Sequence, residues 1–157
     1  MSRRRRAEKR NIEPDPKYNS LVLSKFINKI MLDGKKSLSR KIVYGAIEKF
    51  ADKIKAENPL EAFEQALENA KPMLEVKSRR IGGATYQVPI EISPDRRTSM
   101  AMRWIIRYSR EKVGRTMADG LSQELADCFQ NQGATIKKKD ETHRMAEANR
   151  AFAHYKW

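Results

Sequence analysis

The side chains in this chain with an evident chemistry are its cations, and that chemistry is the capture of anions. Arg3, Arg4, Arg5, Arg6 and Arg10 crowd the first ten residues with Lys9, against Glu8 alone. Arginine outnumbers lysine there, and its planar fork suits two-point contact with phosphate. Lys25, Lys29, Lys35 and Lys36 follow, then Lys77, Arg79 and Arg80 just before Gly82-Gly83, with Tyr86 just after it. Arg96, Arg103, Arg107 and Arg110 fall within a stripe about 60° wide if the segment is helical. Arg97 stands beside it, and no acid interrupts 96–110. Arg115, Lys137, Lys138, Lys139, His143, Arg144 and Arg150 extend the series, and Tyr155 and Trp157 add aromatic faces on which bases or a protein neighbour could stack.

No other chemistry assembles. Gly34-Lys35-Lys36-Ser37 lacks the upstream glycine and preceding strand of a phosphate loop, so it reads as a basic turn. His143 and His154 stand eleven apart with no Cys or acid at ligand spacing, which argues against a metal site. Glu57, Glu61, Glu64 and Glu68 have nothing to desolvate them and read as a solvated face rather than a catalytic pair. Cys128 lies on an apolar helical side and reads as a small core residue. With no nucleophile–base–orienter set, an enzyme is not expected, and neither a cofactor nor a small-molecule substrate is implied.

Composition agrees. The chain has 157 residues, enough for one domain, 39% hydrophobic and 34% charged, with a formal net charge of +13. The charge is uneven. Residues 48–75 hold seven acids against four lysines, a net −3 that leaves +16 for the rest. Such asymmetry points to a polyanionic partner. A single cysteine excludes an internal disulfide and fits a reducing compartment. No apolar run approaches the roughly 18–20 residues a membrane helix needs, and no apolar stretch follows the basic start as in a signal peptide. A cytoplasmic location is expected.

The elements that must position these cations follow from periodicity. Residues 1–19 read as a basic arm that orders on an anion, with Pro14 and Pro16 holding its end extended. Helices are expected over 20–32, 36–55, 59–70, 93–110, 116–131 and 134–155. Ser20, Asn58 and Ser93 are their candidate N-caps, Glu61 the reciprocal half of a capping box, and Gly34 and Gly133 their stops. Residues 73–92 form two β-prone runs about Gly82-Gly83, which supplies the positive φ angles of a tight hairpin turn. The expected fold is mainly α: about six helices in a single domain, 20–157, with a β-hairpin protruding between the third and fourth.

Taken together, several segments resemble a family. They are Asp15-Pro16 with Tyr18, Phe26-Ile27-Asn28 through Gly34-Lys35-Lys36-Ser37, and Arg79-Arg80 through Gly82-Gly83 to Tyr86-Gln87-Val88-Pro89. Arg103-Trp104 and the run ETHRMAEANRAFAH at 141–154 complete them. Nearly the whole chain is similar to bacterial-type small-subunit ribosomal protein seven. That resemblance implies six helices and a hairpin. It implies direct binding to the 3′ major domain of 16S rRNA, nucleation of the head of the 30S subunit, and a place near the decoding centre. It puts the hairpin beside exit-site tRNA and the messenger path, with small-subunit proteins nine and eleven as neighbours. The location it implies is the ribosome, in the cytoplasm or a plastid stroma. Helices with a basic ribbon arm also describe architectural proteins that bend duplex DNA. RNA is preferred to DNA on the resemblance alone.

Overall fold

The computed structural model describes residues 11–155. Six α-helices and one hairpin follow in order: α1 (Leu21–Ile30), α2 (Lys36–Ile54), α3 (Pro59–Ala70), β1 (Leu74–Ile81), β2 (Ala84–Glu91), α4 (Pro94–Arg110), α5 (Met117–Phe129) and α6 (Gly133–Ala148). A short 3₁₀ helix, Arg150–Tyr155, ends the described chain. The mainly helical fold with a hairpin between the third and fourth helices is as expected.

Local chemistry accounts for the boundaries. Ser20 Oγ accepts from Leu23 N–H at 3.3 Å, holding one of the free N–H groups that open α1. Gly34, at φ +73°, turns the chain away before α2. Asn58 Oδ1 accepts from Leu60 N–H and Glu61 N–H, and Pro59 supplies the first turn of α3. The expected capping box is varied: the Glu61 carboxylate accepts from the Asn58 side-chain amide at 2.8 Å. Ser93 stands at the N-cap of α4, but its hydroxyl makes no capping hydrogen bond.

Two boundaries differ from the expectation. Gly133 opens α6 rather than ending α5. The turn out of α5 uses Asn131, at φ +56°. A Cβ on Gly133 would stand 2.8 Å from Asp127 Cβ, so the chain can pass there only without one. The last helix also breaks at Asn149, and its continuation is the tighter 3₁₀ form with no buried residue to stabilise it.

The core is one cluster. Leu23, Phe26, Ile27, Val43, Ile47, Phe50, Phe63, Leu67, Ile105, Leu121 and Leu125 are buried in it. They are the apolar stripes of α1 to α5. Phe26 and Phe63 meet edge-on at 5.3 Å. Polar contacts show how the two halves of the chain lie together. Lys29 reaches Ser99, Lys49 reaches Asp119, Lys53 reaches Gln123, Asn69 carbonyl receives Lys139, and Met73 meets His143. Each pair is separated by 70 residues. The constant offset between Lys49–Asp119 and Lys53–Gln123 means that α2 and α5 run side by side in the same direction.

The segment preceding α1 is fixed to the body from Asp15 onward. Asp15 is buried, accepts from Lys17 and Tyr18 N–H, and takes the Tyr44 hydroxyl at 2.7 Å. The expected arm at 1–19 therefore includes a docked turn at 15–18.

Candidate nucleic-acid interface

One exposed face gathers cations from four places in the chain. Lys25 and Lys29 project from α1, and Arg103, Arg107 and Arg110 from α4. Lys29, Arg103, Arg107 and Arg110 line one shallow groove of about 350 Å³. Beyond it, Lys35, Arg110 and Arg115 rim a groove of about 480 Å³, where the α1–α2 and α4–α5 turns meet over Ile30, Leu38, Ile42 and Met117. Helical spacing on α4 and the packing of α1 against it thus join the separate basic segments into one surface.

The arginines of the stripe are not equivalent. Arg103 is exposed and forms no ion pair among the described residues. Arg107 Nε donates to Glu111 Oε1 at 2.8 Å, an exposed i, i+4 pair of small energetic weight that a phosphate can displace. The carboxylate raises the guanidinium pKa, so Arg107 keeps its charge. Arg110 Nη2 donates to the Ile30 carbonyl at 3.0 Å, satisfying the C-terminus of α1 while the side chain stays at the surface. Arg96 is engaged differently. Its Nε and Nη2 grip both oxygens of Glu75 at 2.9 and 2.8 Å. The Glu75 side chain is only 9% exposed. Arg97 Nε donates to the Ile92 carbonyl at 2.7 Å. Arg96 and Arg97 therefore fasten the base of the hairpin to the start of α4.

Lys112 turns inward. Its ammonium lies 2.9 Å from Glu124 Oε2 and 3.1 Å from Asp127 Oδ2. Glu124 is fully buried, and its Oε1 accepts from Thr135 N–H and Oγ1. Oε2 has no aligned hydrogen-bond donor, and the lysine answers it by charge. Arg115, three residues on, faces solvent, whereas Lys112 is a structural counter-ion.

The hairpin pairs Leu74 with Glu91 through Ile81 with Ala84, leaving Gly82 and Gly83 as a two-residue loop. Both have positive φ, +55° and +90°. Lys77, Arg79 and Arg80 are exposed along β1. Lys77 Nζ stands 3.9 Å from Glu75 Oε1, a loose pair. Tyr86, opposite Arg79, is half-buried. Its ring lies 5.3 Å from Phe152 and 5.2 Å from Tyr155 of the 3₁₀ helix. Such ring pairs contribute about 0.5–1.5 kcal/mol each beyond area burial.

The face of α6 that carries Lys139, His143 and Ala146 is docked on the body. Lys139 Nζ donates to Asn69 carbonyl at 2.7 Å. His143 Nε2 accepts from Met73 N–H at 2.9 Å, which requires the neutral ring. Burial, with Lys139 nearby, lowers the His143 pKa. Arg144 and Lys137 are exposed, and Lys138 pairs with Glu141. Arg150 is exposed beside a groove of about 580 Å³ between hairpin base and α6. Arg3, Arg4, Arg5, Arg6, Arg10 and Trp157 lie outside the described residues. Burial pushes the Cys128 thiol up to about 12, leaving it the unreactive core residue expected. The residue that sequence reasoning missed is Glu75, which entered only as one of the acids of 48–75. The single signal was an acid inside an otherwise basic and apolar strand.

The family model described as ribosomal protein S7p/S5e matches residues 2–150. The chain belongs to this family. Relatives named small ribosomal subunit protein uS7 are similar over the full 157 residues, covering all of both chains. The one from Protochlamydia amoebophila is 76% identical, that from Chlamydia trachomatis serovar L2 67%, and that from Chlamydia felis 64%. The resemblance to small-subunit ribosomal protein seven is thereby borne out. S7p/S5e members are structural components of the ribosome rather than enzymes, and association with rRNA and a part in translation accord with the basic face described above. Among the described residues, no helix is long and apolar enough to cross a membrane.

Proposed function

We propose that this chain is a primary rRNA-binding protein of the small ribosomal subunit, one that binds the 3′ major domain of 16S rRNA and nucleates assembly of the 30S head. In the assembled subunit it lies near the decoding centre at the subunit interface. Its hairpin stands beside exit-site tRNA and the messenger path, and small-subunit proteins nine and eleven are its neighbours. The observation that carries the reading is the joining of Lys25, Lys29, Lys35, Arg103, Arg107, Arg110 and Arg115 on one side of a rigid helical body. That surface meets phosphates of a folded RNA, and phosphate contacts position without reading sequence. Specificity then comes from the shape of an RNA junction, since side chains cannot read the deep major groove of A-form RNA. The hairpin, clamped at its base by Arg96 and Glu75, carries Lys77, Arg79 and Arg80 past the body toward tRNA or messenger.

The test is binding of the purified chain to the isolated 3′ major domain at two salt concentrations, with tRNA and duplex DNA as competitors. Tight binding that survives both competitors is expected. Binding that collapses with salt and yields equally to any polyanion would reduce the interface to charge alone. Preference for duplex DNA would favour the architectural reading.

A further inference from the structure

Tyr86 sits on a basic ribbon, paired with Arg79 and on the same face as Lys77 of the opposite strand. An aromatic ring bordered by cations is a stacking platform for an unpaired base. In the free protein that ring is occupied. Phe152 and Tyr155 lie against it at 5.3 and 5.2 Å, and the two are nearly parallel to each other at 6.4 Å. They rest on β2 through half-buried side chains. The 3₁₀ helix that carries them has no buried residue, pairs with no strand, and is joined to α6 through the break at Asn149. Two ring pairs and one base stack are interactions of the same size, so one can replace the other.

We propose that the terminal 3₁₀ helix is an internal occupant of the Tyr86 platform, and that it competes there with a base of single-stranded RNA. The platform then opens only when a strand is present to replace the rings. Otherwise the sticky face of the ribbon stays covered. This rests on the reading that the hairpin meets RNA.

The experiment uses the full chain and a fluorescein-labelled single-stranded oligouridine, followed by anisotropy. The Phe152→Ala/Tyr155→Ala variant should bind about tenfold more tightly, because the platform no longer needs to be vacated. Adding Tyr86→Ala should abolish that gain. Equal or weaker binding by the double variant would overturn the proposal, as would a gain that persists without Tyr86. In the unaltered protein, saturating oligouridine should erase the NOE between the Tyr86 and Phe152 rings; its persistence would also overturn the competition. Binding to the isolated 3′ major domain is measured alongside. Its failure counts against the function proposed above, whereas the competition is decided by the oligonucleotide and the NOE.

Discussion

Replacing Lys112 by methionine should expose how firmly the interior depends on one cation. Methionine keeps the length of the stem and removes the charge. Glu124, at 0% exposure, then retains its two hydrogen bonds from Thr135 but loses the ammonium 2.9 Å from Oε2. Stripping one partner from a buried ion pair costs about 3–5 kcal/mol. The Lys112 side chain is itself 24% exposed, so water weakens the native pair and places the expected loss at the lower end, about 3 kcal/mol. Asp127 keeps the Gln123 amide at 2.8 Å and adds little to the change. Urea unfolding followed by circular dichroism at pH 7 measures the loss directly. Adding Glu124→Gln should recover most of the stability at pH 7. A loss below about 1 kcal/mol would refute the claim that Glu124 depends on this charge.

Three further outcomes are expected. Arg103→Glu with Arg107→Glu should weaken binding to the isolated 3′ major domain and lower the salt slope by about 1.4–1.8, from two phosphates at roughly 0.7–0.9 each; unchanged affinity would remove α4 from the interface. Gly120→Ala would put a Cβ 2.7 Å from the Ser109 carbonyl oxygen, where α4 and α5 approach. With no positive φ to strain, the cost is steric, about 1–3 kcal/mol, and an unaltered thermal melt would contradict it. The His143 pKa is lowered in the folded state, so the unfolded chain binds the proton more readily. Its contribution is intact above the unfolded value of about 6.5 and is lost as pH falls below it toward the folded value. His143→Gln should flatten that part of the stability profile, and a profile identical to that of the unaltered chain would exclude the assignment.

Much of the architecture was legible because local chemistry and periodicity agreed. Asn58-Pro59 opened a helix where expected, and Gly82-Gly83 closed a hairpin with both residues at positive φ. The site was legible as a set of charges on helix faces, since 100° per residue is enough to align Arg103, Arg107 and Arg110. What could not be read was which charges face a partner within the fold. Arg96 and Arg103 belong to the same stripe, yet the first meets Glu75 across 21 residues and the second meets solvent. Lys112 and Arg115 share a turn and divide in the same way. Those choices depend on how elements cross, which periodicity does not contain. The break at Asn149 was hidden as well: residues 150–155 keep helix-forming letters, and nothing in their periodicity marks the change to a 3₁₀ helix.

The 70-residue offset between the two halves also sets a clock for synthesis. Lys29 waits for Ser99, Lys49 for Asp119 and Asn69 for Lys139. At roughly 5–20 residues per second, each member of the first half leaves the ribosome about 4–14 s before its partner. Short helices are marginal on their own, so α1 to α3 gain full cover for their apolar stripes only when the second half arrives. The core cannot be complete until α4 and α5 have emerged. Until then part of the apolar surface of α1 to α3 is open to proteases and to other chains. The growing chain gains its protection from the C-terminal half.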